Sequence, residues 1–217
     1  MIKAEKICKV YDKLPVLENL DLHVKSGQFC IITGPSGTGK STLLNVLSGL
    51  DIYQSGMLRL MGREVAGLLP KEMAMMRRRY IGFIFQSYNL ISSKNCLENV
   101  ALPLKYNKVN YFQRKNMAMS AIDQMGLTDK YYSYPYQLSG GQQQRIAVAR
   151  ALVTKPKMLF CDEPTGNLDS ESAQLVMDGI ISMRNNGSAV LMITHDKKLL
   201  QYADCAYVLK NGRLFTE

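Results

Sequence analysis

Apolar and polar positions change their spacing several times along the chain, and each change predicts an element. Phe29 to Thr33 is an unbroken apolar run that ends at Gly34, as a strand buried on both faces would. Lys40 to Ser48 follows, with Leu43, Leu44, Val46 and Leu47 at helical spacing. Strand, glycine-rich turn and helix form a first unit. The second half repeats it. Met158 to Cys161 and Ala189 to Thr194 read as short buried strands, set among helices over Ser139 to Val153 and Ser170 to Met183. Gly140 and Gly141 open the first of these helices, and Asn185-Asn186-Gly187 stops the second. Cys205 to Leu209 with Leu214-Phe215 reads as a hairpin about Asn211-Gly212. Ile2 to Cys8 and Leu20 to Val24 alternate only loosely, as short, partly exposed strands. Buried strands alternating with helices predict an α/β fold with a largely parallel sheet covered on both faces.

The middle, residues 87–154, carries no comparable apolar strand and reads as a helical insert, Phe112 to Met125 being its clearest helix. The chain is expected to form one domain over 1–217, with 1–86 and 155–217 as the core. The 13 methionines read as gap-filling core residues. The five cysteines are scattered and form no CxxC pair, which argues against a zinc site or a disulfide framework. The charged start has no run suited to a signal peptide, and no apolar stretch approaches the ~20 residues of a membrane span. The expectation is a cytoplasmic protein with reduced thiols. Lys and Arg outnumber Asp and Glu by 27 to 18, for a net +9. Such an excess suits nucleic acid, an anionic membrane or a phosphorylated ligand, and decides nothing alone. Its dense cluster, Arg77-Arg78-Arg79, ends a predicted helix (Pro70 to Arg79), where positive charge also suits the helix dipole.

The chemistry is more specific. Gly34-Pro35-Ser36-Gly37-Thr38-Gly39-Lys40-Ser41-Thr42 fits GxxxxGK[ST] between a predicted strand and a predicted helix. Its glycines let backbone N–H groups close on phosphate oxygens, Lys40 can reach the β and γ phosphates, and the Ser41 hydroxyl can ligate Mg²⁺. This pattern predicts nucleoside triphosphate binding. The strand Met158 to Cys161 ends in Asp162-Glu163. Asp162 there could hold Mg²⁺, and Glu163 could act as general base on an attacking water.

Leu138-Ser139-Gly140-Gly141-Gln142, followed by Gln143-Gln144-Arg145, resembles the signature of the ATP-binding cassette (ABC) ATPases. With the phosphate loop, Asp162-Glu163 and His195 in the same order, the resemblance spans essentially the whole chain. It implies a P-loop NTPase (RecA-like) core, an N-terminal antiparallel β subdomain and a helical subdomain. It further implies an ATP-driven homodimer in which Ser139, Gly140, Gly141 and Gln142 face the ATP of the other protomer. A Ser and two glycines at a helix start form a second anion site, which fits that sharing. Under the same resemblance Tyr11 stacks on adenine, Gln86 touches Mg²⁺ and the attacking water, and His195 contacts the γ-phosphate. Gly166-Asn167-Leu168-Asp169 matches the loop crossing between protomers, where Ser-Ala-Leu-Asp is more frequent. Blander readings exist for some of these: a surface tyrosine, a polar strand end, a loop histidine. His23 fits no motif and reads as structural.

The wording of 83–91 and 98–104 is similar to the lipoprotein-release, macrolide-export, cell-division and bacitracin-resistance group. That implies a separate transmembrane permease, met by residues following Gln86, and peripheral attachment to the cytoplasmic membrane face. Power for export, lipoprotein extraction or peptide resistance, and control of cell-wall hydrolases without transport, both use this nucleotide chemistry. No specific nucleic-acid partner is expected, since 217 residues leave no room for a second cassette or a long coiled-coil insertion. No NKxD guanine-reading motif follows the phosphate loop.

Overall fold

The computed structural model describes residues 1–166 and 168–217. Strands β1 (Ile2–Tyr11), β2 (Leu14–Val24), β4 (Ser55–Leu60) and β5 (Arg63–Glu64) form an antiparallel sheet in the order β2-β1-β4-β5. Strands β3 (Phe29–Thr33), β6 (Ile81–Ile84), β7 (Met158–Asp162), β8 (Ala189–Ile193), β9 (Cys205–Lys210) and β10 (Arg213–Thr216) form the other, in the order β10-β9-β3-β8-β7-β6. All its pairings are parallel except the β9–β10 hairpin.

Strand periodicity divides the core in two. Phe29 and Ile31, Leu159 and Cys161, Val190 and Met192 face one side. They pack there against α3 (Cys96–Tyr106), α4 (Tyr111–Asp123), α5 (Gly140–Leu152) and α6 (Ser170–Asn185). Cys30 and Ile32, Met158 and Phe160, Leu191 and Ile193 face the antiparallel sheet and α1 (Lys40–Leu47). Residues at successive strand positions therefore fill opposite layers, so the strands read as continuous apolar runs. Burying each such side chain contributes about 1.5–3 kcal/mol. Met73, Met76, Met125, Met158, Met177 and Met192 are core residues.

The helices start where local chemistry places them. Asn95 caps α3, accepting from the Glu98 N–H at 2.9 Å while Glu98 accepts from the Asn95 N–H at 3.1 Å. Pro70 opens α2 (Pro70–Tyr80) at a position where its missing N–H costs nothing. The opening strands are longer than the expected Ile2 to Cys8 and Leu20 to Val24. Asp12 and Lys13 both take positive φ and turn β1 into β2, and three register shifts in that pairing break the alternation that reveals a strand. Strands β4 and β5 went unread for a similar reason: they are short, half exposed and turn at Met61-Gly62.

Candidate nucleotide site

Strands β3, β8 and β7 lie side by side and end together, so the loop after β3 and the carboxylates after β7 meet at one sheet edge. Gly34 has φ +147, and a Cβ there would stand 2.6 Å from the Leu209 carbonyl oxygen of β9. Gly39 adopts a left-handed conformation as the N-cap of α1. At Gly37, φ +78, a Cβ would meet nothing within 4 Å. The first glycine is thus demanded by packing, whereas the space over Gly37 is open for a ligand. Lys40 Nζ donates to the carbonyls of Gly34 and Pro35, each at 2.8 Å, and so spans the mouth of the loop. Ser36 and Thr38 lie on the same loop, Thr38 Oγ1 donating to the Pro35 carbonyl.

Asp162 is half-buried at the end of β7, beside the Ser41 side chain. Burial, then the neighbouring Glu163 charge, raises its pKa, while the Ser41 hydroxyl and the Lys40 charge pull the other way. A carboxylate in that condition, beside a hydroxyl, is an oxygen donor set suited to a hard divalent cation such as Mg²⁺. Glu163 sits at φ +46, a conformation that costs a non-glycine residue about 1 kcal/mol or more. His195 Nδ1 donates to Glu163 Oε1 at 2.9 Å, and Thr194 Oγ1 donates to Oε2 at 3.2 Å. The Glu163 side chain is 11% exposed and that of His195 72%. A carboxylate is thereby held by two neighbours at the sheet edge, a placement in which a carboxylate can accept a proton from a water. Gln86 is exposed, two residues beyond β6, the strand next to β7.

Tyr11, at the end of β1, is 43% exposed, and its hydroxyl donates to Asp51 Oδ2 while lying in reach of Thr42. The Asp51 carboxylate beside it is the main cause that raises the phenol pKa.

The signature is used differently. Ser139 Oγ accepts from the Gln142 N–H at 3.3 Å, and Gln142 Oε1 accepts from the Ser139 N–H, so the motif caps its own helix α5. Its glycines face Tyr88 and Leu168: a Cβ on Gly140 would stand 2.9 Å from the Tyr88 hydroxyl, one on Gly141 3.4 Å from Leu168 Cδ2. At the far end of α5, Arg150 donates to the carbonyls of Asn89 at 2.6 Å and Tyr88 at 2.7 Å, both residues at positive φ. Asp169 caps α6, accepting from the Ser172 N–H and hydroxyl, each at 2.9 Å, and these bonds lower its pKa. Asn167 lies outside the described residues. His23 is exposed on β2.

Sequence reasoning did not single out Lys9, Asp51, Asn99, Arg150 or Thr194. Lys9 and Asp51 meet across 42 positions and Arg150 reaches back 61 to Asn89, so nothing local marks them.

A phosphate loop, two carboxylates and a histidine on one edge of a parallel sheet define a P-loop NTPase. The ABC transporter profile matches residues 17–166, and the chain belongs to that family. Within it the chain is an ATP-binding subunit with ATPase activity. It is 41% identical to the lipoprotein-releasing system ATP-binding protein LolD of Aquifex aeolicus, over 100% of this chain and 97% of that one. It is also 41% identical to the macrolide export ATP-binding/permease protein MacB of Bdellovibrio bacteriovorus, covering 98% of this chain and 33% of MacB. Among solved structures, the ATP-binding cassette MJ0796, a dimer in a post-hydrolysis state bound to ADP and Pi, superposes with a TM-score of 0.94 at 34% identity. That match covers 99% of this chain and 96% of MJ0796.

Proposed function

We propose that the chain powers a separate transmembrane permease by closing and opening an ATP-driven homodimer. The observation that carries this reading is that two stretches of one chain, each opening a helix that could receive an anion, stand in different surroundings. The phosphate loop lies with Asp162, Glu163 and His195, whereas Ser139 to Gln142 open α5, where Gly140 and Gly141 face Tyr88 and Leu168. Two copies placed head to tail satisfy both, each ATP lying between one protomer's loop and the other's signature. The dimeric MJ0796 cassette supports this arrangement.

Lys40 leaves its two carbonyls for the β and γ phosphates, Tyr11 stacks on adenine, and Gly37 to Thr42 supply N–H groups. Ser41, Asp162 and Gln86 would hold Mg²⁺, which when bound would supply charge neutralisation for the phosphates. Glu163 takes the proton of the attacking water, while His195 turns its imidazole from Glu163 to the γ-phosphate. Asp169 lies in the loop that crosses to the other protomer.

The permease would dock in a groove lined by Ala74, Phe85, Asn89 and Tyr106, with Arg77 and Arg78 at its rim. It brings α2, the segment after Gln86 and α3 of the proposed helical subdomain (87–154) together. No helix among the described residues is long and apolar enough to cross a membrane, so membrane attachment rests on the permease and on basic residues near anionic lipid, at about 1 kcal/mol each. The cytoplasmic membrane face is its place of work. Relatives named for lipoprotein release and macrolide export support export or extraction as the task.

The test is Glu163→Gln, purified from its host with ATP and Mg²⁺. Dimer formation, ATP turnover down by about 10²–10⁴-fold and a copurifying membrane protein are expected. A variant that stays monomeric at millimolar ATP, or turns over normally, refutes the reading.

A further inference from the structure

Strand β1 points Ile2, Ala4 and Ile7 into the core, and the next inward position is Lys9, 3% exposed. Among the described residues it is the one buried lysine or arginine. An ammonium removed from water is costly unless its partners are close and complete. Here Nζ donates to Asp51 Oδ1 at 2.9 Å and to the Ile52 carbonyl at 2.8 Å, and lies 4.3 Å from the centroid of the Tyr11 ring. Asp51 is fixed in turn. Its N–H donates to the Asn45 carbonyl of α1 at 3.1 Å, and its Oδ1 accepts from the Ile52 N–H at 2.7 Å. Its second oxygen takes the Tyr11 hydroxyl. Burial opposes the Asp51 charge, but the bonds from Tyr11, Lys9 and Ile52 outweigh it and hold the carboxyl below its usual range.

Tyr11 is therefore held at two points, a cation under one ring face and a carboxylate at its hydroxyl. Asp51, which meets both Lys9 and Tyr11, is bonded through its N–H to Asn45 of α1, the helix that begins at Lys40 of the phosphate loop. We propose that Lys9 and Asp51 are positioning residues that fix the plane of Tyr11 relative to the phosphate loop, leaving only its outward face for the base. The distance between base platform and phosphate cradle is then set before the nucleotide arrives, and less ordering is needed on binding. This rests on the reading of Tyr11 as the adenine platform.

The experiment compares Mg²⁺-ATP with Mg²⁺-tripolyphosphate, which has the phosphates and no base, by calorimetry on the full chain. Tyr11→Phe keeps the ring and removes the tether, and Asp51→Ala removes the other end of it. Each is expected to weaken ATP about three- to tenfold, the double variant no more than either alone, with tripolyphosphate affinity unchanged. Tyr11→Ala is expected to weaken ATP about 10-fold or more. If Tyr11→Ala weakens ATP while Tyr11→Phe and Asp51→Ala do not, the tether is overturned and the platform stands. If Tyr11→Ala has no effect, the platform reading itself falls. If tripolyphosphate weakens in parallel, the network merely supports the fold, which also overturns the proposal. Lys9→Met tests the buried end, and should it fail to fold, the exposed Tyr11→Phe still decides.

Discussion

Replacing Asn99 with Ala removes a fully buried side chain that organises the segment ahead of α3. Its Oδ1 accepts from the Ile91 N–H at 2.8 Å, and its Nδ2 donates to the carbonyls of Ile91, Lys94 and Asn95 at 3.1, 2.9 and 3.0 Å. The Asn95 carbonyl keeps a second partner, the Asn99 N–H at 2.9 Å. The Ile91 carbonyl likewise keeps the Lys94 N–H at 3.1 Å, so two backbone groups, the Ile91 N–H and the Lys94 carbonyl, lose their only bond. Each orphaned buried group costs about 1–3 kcal/mol, and the exposure of Ile91 lets water recover part of that. A net loss of about 2–4 kcal/mol follows, which lowers Tm by roughly 4–16 °C in a domain of this size. Urea unfolding of the two proteins measures it directly. Asn99→Asp keeps the acceptor but sets a carboxylate against three carbonyl oxygens, so it should cost more than Asn99→Ala. An Asp variant as stable as wild type, or an Ala variant costing under about 1 kcal/mol, would refute the assignment of these bonds.

Other outcomes follow from the nucleotide edge. The raised pKa of Asp162 means the folded chain holds that proton more tightly than the unfolded one, so its contribution to stability is complete at low pH and is lost as pH rises through the folded value. Without nucleotide, Asp162→Asn should therefore have the higher Tm at pH 7.5, the gap closing on acidification; an equal or lower Tm at pH 7.5 would contradict this. Wild-type affinity for Mg²⁺-ATP should fall on acidification at a pH above the usual carboxylate range, a dependence that calorimetry would find missing in the Asn variant. Gly34→Ala should destabilise the fold by about 1–3 kcal/mol beyond its backbone strain, because its Cβ meets the Leu209 carbonyl, whereas Gly37→Ala should cost only the strain of its φ of +78, about 1–2 kcal/mol, and chiefly weaken nucleotide binding, because its Cβ enters open space. Thermal melts beside ATP titrations separate the two, and matching losses in both variants would remove the distinction.

The sheet was legible because strands buried on both faces cannot hide. Phe29 to Ile32 and Met158 to Cys161 are apolar at every position, and the phosphate loop follows Thr33, the last residue of the first strand, without a gap. The antiparallel sheet was harder to read, since bulges near Ile7 and Lys9 displace the alternation that a half-exposed strand displays. Motif residues such as Lys40 and Asp162 were found because their chemistry is written in consecutive letters. Lys9 and Asp51 were missed because they meet across 42 positions, which no local spacing encodes; Asn99 bonds to residues close in the chain, but to their backbone groups, which leave no mark in residue type. Tyr11 was read as the aromatic that stacks on adenine, and the structure gives it a tethered hydroxyl and an occupied inner face.

Helix α5 spans 13 residues, about 20 Å at 1.5 Å each. One end carries the signature; the other grips Tyr88 and Asn89 at the proposed permease groove, and the Tyr88 side chain returns to Gly140. An object of that length, gripped near both ends, transmits position rather than chemistry. Under the proposed dimer, a permease resting on Asn89 would register the arrival of a nucleotide as a tilt of the surface beneath it, with no part of the permease ever meeting the nucleotide.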